Sequence, residues 1–260
     1  MTPKKILFLL AHQDDEVFIA PRISYELSRG ALPFFIYLTN GMPAGASRNE
    51  RDNESRVCLM RLGVEEEQII FLGTESRIPD GHLVNHLEQC FWSLVEKTKN
   101  HAFAEIYTPA WEGGHQDHDA AFLIGLALAR RLGLENDLWQ FYLYNGFKTR
   151  GRFFRVFHPL PNTGERRQRK LKLSAGISTL RSIFTFKTQR RTWLGLFPQI
   201  LIHLIFCRTE VFDLGRVEQL AKPAHKGGLL YERWKRMCFA DFKTKALNFE
   251  ANFILTGKDR

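Results

Sequence analysis

Residues 5–16, Lys5-Ile6-Leu7-Phe8-Leu9-Leu10-Ala11-His12-Gln13-Asp14-Asp15-Glu16, pass from an apolar run directly into an imidazole and three acids. The apolar part reads as a buried strand and the residues from Glu16 onward as an amphipathic helix, so the polar cluster sits at the strand's carboxyl edge. The Lys4-Lys5 start imitates a signal peptide. His12 and the acids interrupt the run before an apolar segment of that kind is complete.

Working outward, the same alternation repeats through residue 146. Lys5–Leu10, Pro33–Leu38, Gln68–Leu72, Ala104–Thr108 and Leu138–Tyr144 carry strand character. Helical patterns lie between them around Glu16–Ser28, Asn49–Leu62, His82–Thr98 and Asp117–Leu132. A βαβ series of this kind predicts an α/β fold, a Rossmann-like, mostly parallel sheet flanked by helices, with ligands at the carboxyl ends of the strands. Residues 1–146 are read as this core, and 147–260 as an irregular basic extension packed on it as one structural unit. That extension includes a strand at Thr209–Phe212, a polar helix near Val217–Ala221 and a last helix around Leu229–Ala240.

Composition supports a folded chain with a sizeable core: 260 residues, 44% hydrophobic and 13% aromatic. Cys58, Cys90, Cys207 and Cys238 are widely spaced without a CxxC pair, which argues against a disulfide framework or a thiolate zinc site and for a cytoplasmic setting. The apolar stretch Trp193–Phe206 contains Pro198, Gln199 and His203 and falls short of the roughly 20 residues a transmembrane helix needs. Charge is distributed unevenly. Residues 148–191 hold 13 Lys or Arg against one acid, Glu165, whereas the rest of the chain holds 24 basic and 27 acidic residues.

Acids at a strand-to-helix junction often do no more than cap the helix. A receiver domain also places paired acids after its first strand, but it needs an Asp at the end of the third, where this chain has Phe71-Leu72-Gly73-Thr74. No GxGxxG follows the first strand, so a dinucleotide site is unsupported. The deciding feature is a second cluster, Gly113-Gly114-His115-Gln116-Asp117-His118, after the fourth strand and opening a helix. Two His/Asp clusters at equivalent strand ends point to a divalent metal. Imidazole and carboxylate without thiolate suit catalytic zinc, with three protein ligands and a position left for water. His12 and Asp15 lie three apart across the turn, His118 supplies the third ligand, and Asp14 lies beside the metal.

The pair of motifs, A-H-x-D-D-E at residues 11–16 and H-x-D-H at 115–118, resembles the PIG-L/LmbE-like family of zinc-dependent N-acetylglucosaminyl deacetylases. Arg51-x-x-Glu54 with Leu62-Gly63 and, more weakly, Ala224-His225 are further similarities. Position 13 is Gln where the family most often has Pro, and residues 148–215 match none of its patterns. The resemblance implies removal of an acetyl group from an N-acetylhexosamine conjugate, soluble or phosphate- or lipid-linked. It makes Asp14 the general base and a protonated His115 a stabiliser of the oxyanion. Asp117 is either a carboxylate holding an imidazole or a helix cap, and Arg51 either a substrate contact or a surface partner of Glu54. His225 is assigned to substrate binding on the same resemblance. Asn40 either faces the site or forms a turn.

Two other readings compete: a non-catalytic anion or nucleic-acid binder, from the basic segment with its interleaved phenylalanines, and a metal hydrolase of another amide or an ester. The first leaves both His/Asp clusters idle, so nucleic acid is not favoured. Basic charge beside an apolar stretch too short to span predicts either peripheral contact with the inner face of a membrane or a solvated insertion. In the membrane case Arg166, Arg167, Arg169 and Lys170 would meet the anionic groups. A homo-oligomer remains open.

Overall fold

A computed structural model describes residues 2–42, 50–161 and 164–256. Asn49, which opens the expected helix 49–62, lies outside the described residues. The chain runs β1 (Lys5–Leu10), α1 (Glu16–Ser28), β2 (Leu32–Tyr37), α2 (Glu50–Leu62), β3 (Ile69–Ile70), α3 (Leu72–Glu75), α4 (Leu87–Thr98), β4 (Glu105–Pro109), α5 (Gln116–Leu132) and β5 (Leu138–Phe141). It continues through β6 (Tyr144–Asn145), β7 (Arg155–Val156), β8 (Arg166–Lys170), α6 (Leu173–Ile183), α7 (Arg190–Ile202), β9 (Thr209–Leu214), α8 (Leu230–Arg233) and α9 (Phe239–Phe249).

Seven strands form one sheet in the order β3-β2-β1-β4-β5-β9-β8, and β6 and β7 pair separately. The first five are parallel, with β1 between β2 and β4; Phe8 lies opposite Phe35 on one side and Tyr107 on the other. The direction of chain connection reverses between β1 and β4, which opens a crevice at their carboxyl ends. The two His/Asp motifs leave the sheet at those two ends.

Both faces of the sheet are covered, so alternate residues of one strand enter different cores. Leu7 and Leu9 of β1 pack with Ile36, Ile106 and the inner residues of α4, α5 and α9. Ile6, Phe8 and Leu10 pack with Phe35, Tyr107, Trp139 and Phe212, beneath α1, α2 and α7. The rings of Phe35, Phe8 and Tyr107 lie 4.9 and 5.1 Å apart in sequence across three strands, which ties β2, β1 and β4 into one rigid platform under the crevice.

Three expected elements start late, end early or divide because backbone N–H groups turn to carboxylates. The helix expected from His82 begins at Leu87, since the Leu83 N–H donates to Asp117 (3.0 Å) from a 3₁₀ turn at Leu83–Asn85. The strand expected through Tyr144 stops at Phe141, since the N–H groups of Leu143 and Tyr144 donate to Glu112 (2.8 and 3.1 Å). The last helix is two, α8 and α9, joined through Glu232, which accepts from Leu229 and Phe239 N–H groups.

Part of the basic segment is regular structure. β9 runs antiparallel to β5, and β8 runs antiparallel to β9 at the sheet edge. Arg166 makes two hydrogen bonds to Asp213 (2.6 and 2.8 Å), Arg167 bonds Glu105 (2.8 Å) and Arg169 bonds Glu210 (2.7 Å). The Arg167 guanidinium also lies 3.6 Å from the centre of the Trp139 ring. These three arginines are therefore spent on the fold, which corrects the expectation that they meet an external anion. A strand built of Arg and Lys also discourages a further strand from adding to the edge. Among the described residues no helix is long and apolar enough to cross a membrane.

Candidate active site

The turn after β1 holds its acids by hydrogen bonds that a helix cap does not explain. Asp15 precedes α1, yet its Oδ2 accepts the N–H groups of Ala11 and His12 (both 2.9 Å), the residues before it. Its Oδ1 is left facing the crevice. Gln13 is fully buried and donates to Asp52 of α2 (2.6 Å) and to the Thr39 carbonyl (3.2 Å), so an amide anchor holds the turn where the family has a proline ring. Asp14 follows with φ of 122°, a strained value for a residue with a side chain, enforced by these bonds on either side. Gly41 closes the floor: its φ is +62°, and a Cβ there would stand 2.1 Å from Gln13 Oε1.

His118 arrives from the first turn of α5. Its Nε2 lies 3.3 Å from His12 Nδ1 and 3.2 Å from Asp15 Oδ1, and the latter two are 3.9 Å apart. All three side chains are buried. Donors bound to tetrahedral zinc at about 2.0–2.2 Å stand roughly 3.3 Å from one another. The three atoms thus form one face of a tetrahedron of nearly the right size. Two imidazole nitrogens and a carboxylate oxygen converge with no backbone donor among them, which is the donor chemistry a divalent cation satisfies.

On the far side of His12, its Nε2 lies 3.1 Å from Asp117 Oδ2 and 3.2 Å from Asp80 Oδ1. His12, Asp80, His115 and Asp117 form a second convergent group. Asp117 is already occupied there, because Oδ2 accepts the Gly81 N–H (2.6 Å) and Oδ1 the Leu83 N–H (3.0 Å). The first group, whose Asp15 Oδ1 and two imidazole nitrogens have only one another, is therefore the better metal face. The carboxylates behind His12 hold the proton on Nε2 and turn the Nδ1 lone pair toward His118 and Asp15.

Asp14 lies at the edge of this face, close to Arg51, whose Nη2 is 3.4 Å from its Oδ1. Burial, reinforced by the charges of Asp15 and Glu16, pushes the Asp14 carboxyl up to about 8, against the opposing pull of Arg51 and His12. Burial likewise raises Glu16 to about 7, and its Oε2 accepts the Asp14 N–H (3.0 Å). His115 caps α5, and its Nδ1 accepts the Asp117 N–H (3.1 Å). Burial and the neighbouring His12 and His118 hold it well below the usual imidazole range, partly offset by Asp80. With its Nδ1 engaged as an acceptor, His115 has Nε2 left to donate a hydrogen bond into the crevice.

The structure brings together His12, Asp14, Asp15, Arg51, His115, Asp117 and His118. Arg51 is buried and donates to the Gln13 carbonyl (2.7 Å) and to the Gly41 carbonyl, while Glu54 bonds Thr188 instead, so their surface pair does not form. His225 stands apart: its ring meets Phe147 and its Nδ1 the Lys226 carbonyl. Asn40 is a turn residue, with its Oδ1 accepting the Met42 N–H (2.9 Å). Sequence reasoning missed Asp80, whose Pro79-Asp80-Gly81 setting reads as a turn. It missed also the aromatic wall of Tyr144 and Trp234, with Tyr144 edge-on to His118 at 5.5 Å.

The PIG-L family, described as GlcNAc-PI de-N-acetylase, matches residues 7–129, a span that contains both motifs. The match bears out the resemblance drawn from them and the reading of the chain as an N-deacetylase enzyme. No curated protein matches the sequence. Among solved structures, the A40926 pseudoaglycone deacetylase Dbv21 is similar at 16% identity over 80% of this chain and 96% of that one, with a TM-score of 0.58. The N,N'-diacetylchitobiose deacetylase from Pyrococcus horikoshii shares 16% identity over 82% and 84%, with a TM-score of 0.58. The zinc inhibited form of teicoplanin deacetylase Orf2 shares 13% over 81% and 97%, with a TM-score of 0.57. At these identities the likeness is one of fold.

Proposed function

With residues 7–129 matching the PIG-L family, we propose that this enzyme removes the acetyl group of an N-acetylhexosamine conjugate by metal-assisted hydrolysis of its amide. The observation that carries the reading is the near-tetrahedral face of His12 Nδ1, Asp15 Oδ1 and His118 Nε2 with a second carboxylate, Asp14, at its rim. His12, Asp15 and His118 would hold the ion. Once bound, a divalent ion such as zinc supplies Lewis acidity to the acetyl carbonyl and to water.

The protein's own groups do the rest. Asp14 takes a proton from the attacking water at its carboxylate as the oxygen bonds to the carbonyl carbon. It returns that proton to the nitrogen as the C–N bond breaks, releasing acetate and the amine. Burial raises the Asp14 carboxyl, and a divalent ion held beside it would draw it back toward the carboxylate that a base needs. Arg51 holds Asp14 in place and limits how far burial raises it. The Nε2–H of His115 donates to the carbonyl oxygen as it gathers charge. Asp117 and Asp80 keep His12 in the tautomer that offers Nδ1.

The test is mass spectrometry of zinc-loaded protein incubated with free, nucleotide-linked and lipid-linked N-acetylglucosamine. Loss of one acetyl group from one class, abolished by chelation and by Asp14→Asn, supports the reading. Release of acid from esters or from other amides, with every N-acetylhexosamine left intact, overturns it.

A further inference from the structure

We propose that the outer face of the α6–α7 hairpin docks the protein peripherally onto an anionic lipid bilayer. α7 carries apolar side chains on both of its sides. Trp193, Leu196 and Ile200 enter the core, while Leu194 and Ile202 and, in the π turn that follows, Ile205 and Phe206 are exposed. A surface helix normally turns one apolar stripe inward and a polar face outward, so Leu194 and Ile202 on the outward face, beside Arg190, Arg191 and Thr192, call for something to cover them. α6 repeats the pattern: Gly176, Thr179 and Ile183 are buried, and Leu173, Ile177 and Phe184 are exposed. Phe184, Leu194 and Phe206 are 72%, 75% and 77% exposed, far beyond what chance scatter of single apolar residues requires.

The two helices present these side chains together. Phe184 meets the Phe197 ring at 6.3 Å, and Leu204 packs 3.7 Å from the position a side chain on Gly176 would take.

Charge selects the occupant. From Arg166 to Thr209 there is no Asp or Glu, and Lys172, Arg181, Lys187, Arg190 and Arg191 are exposed around the apolar residues. A second copy of the chain in a two-fold contact would set this basic rim against itself, so like charges would oppose association. Nucleic acid offers the charge but nothing that rewards exposed Leu and Ile. Exposed apolar side chains ringed by Lys and Arg, on helices too short to span, match an interface of anionic headgroups over acyl chains. The connection between α6 and α7 also touches the candidate site: with its amide turned to satisfy both ends, the Gln189 oxygen lies 3.0 Å from Arg51 Nε. The docking itself does not depend on the deacetylase reading.

Co-sedimentation of the full chain with vesicles of phosphatidylcholine, with or without an equal part of phosphatidylglycerol, tests this. Wild type is expected to pellet with the anionic vesicles at low salt, to release at high salt and to ignore neutral vesicles. Neutralising Lys187, Arg190 and Arg191 to Gln should weaken binding on the order of 100-fold, at about 1 kcal/mol per charge near the surface. Phe184→Ser with Leu194→Ser and Phe206→Ser should abolish it while leaving the unfolding temperature in place. Absence of vesicle binding, or equal binding to neutral lipid, overturns the proposal. So does a concentration-dependent dimer that the apolar variant dissociates, or oligonucleotide binding that the apolar variant leaves unchanged in place of vesicle binding.

Discussion

Asp117→Asn exchanges one oxygen of a fully buried carboxylate for an NH₂ of nearly the same shape, so it changes hydrogen-bond polarity and charge and leaves packing intact. The native oxygens receive three groups: Oδ2 takes the Gly81 N–H at 2.6 Å and faces His12 Nε2 at 3.1 Å, and Oδ1 takes the Leu83 N–H at 3.0 Å. If the amide nitrogen replaces Oδ1, it confronts the Leu83 N–H, and two buried donors lose their acceptor. If it replaces Oδ2, it confronts Gly81 and donates to His12 Nε2, which drives the His12 proton onto Nδ1, the atom facing His118 and Asp15. Either orientation leaves at least one buried donor unpaired, at about 1–3 kcal/mol. The second also protonates a ligand atom, and loss of a carboxylate behind a metal-binding imidazole typically costs about 10–100-fold in affinity. Chelator competition for zinc should show that weakening, and urea unfolding of the metal-free protein the loss of stability. Asp117→Ala removes both oxygens and so tests the role in any orientation; a zinc affinity within about twofold of wild type in that variant would refute the role given to Asp117 in orienting His12.

Asp14→Asn should retain zinc by elemental analysis while kcat falls on the order of 100-fold or more, because the proton carrier is lost and no ligand is. Gly41→Ala should lower unfolding stability by more than about 1 kcal/mol in urea, since it combines positive φ with a Cβ pressed on Gln13. Burial alone would raise Glu105, but the hydrogen bonds from Arg167 and Lys4 outweigh it and leave its carboxyl below its ordinary value of 4.5. Its contribution is therefore present above the unfolded value and lost as pH falls through the lower folded one. Unfolding free energies of wild type and Glu105→Gln should differ near neutrality and converge in acid below that window; a difference that stays constant from neutral to acid pH would refute the assignment.

The α/β alternation and the two His/Asp motifs could be read from the chain alone, because a strand's period of two and a helix's of 3.6 are local properties. Placement of both motifs at carboxyl ends follows from the same pattern. Their meeting also depended on β1 and β4 being neighbours, and only the sheet order decides that. Asp80 escaped notice because Pro-Asp-Gly has a sufficient local explanation as a turn; its proximity to His12 comes from 67 residues of intervening chain folding back. The early end of the fifth strand and the late start of the fourth helix were hidden for a related reason: Glu112 and Asp117 draw backbone N–H groups away from regular structure, and a local pattern cannot show a distant acceptor.

Charge gives the sharpest division. The sequence by itself determined that basic residues crowd residues 148–191 and that the apolar stretch beyond them is too short to span a bilayer. It could not tell which cations are already satisfied, because an arginine's partner is set by distance in space. The tertiary structure spends Arg166, Arg167 and Arg169 on Asp213, Glu105 and Glu210 and leaves Lys187, Arg190 and Arg191 exposed beside Leu194. Neutralisation within the protein removes a charge from the surface field, so which face can attract an anion was decided only when the strands paired.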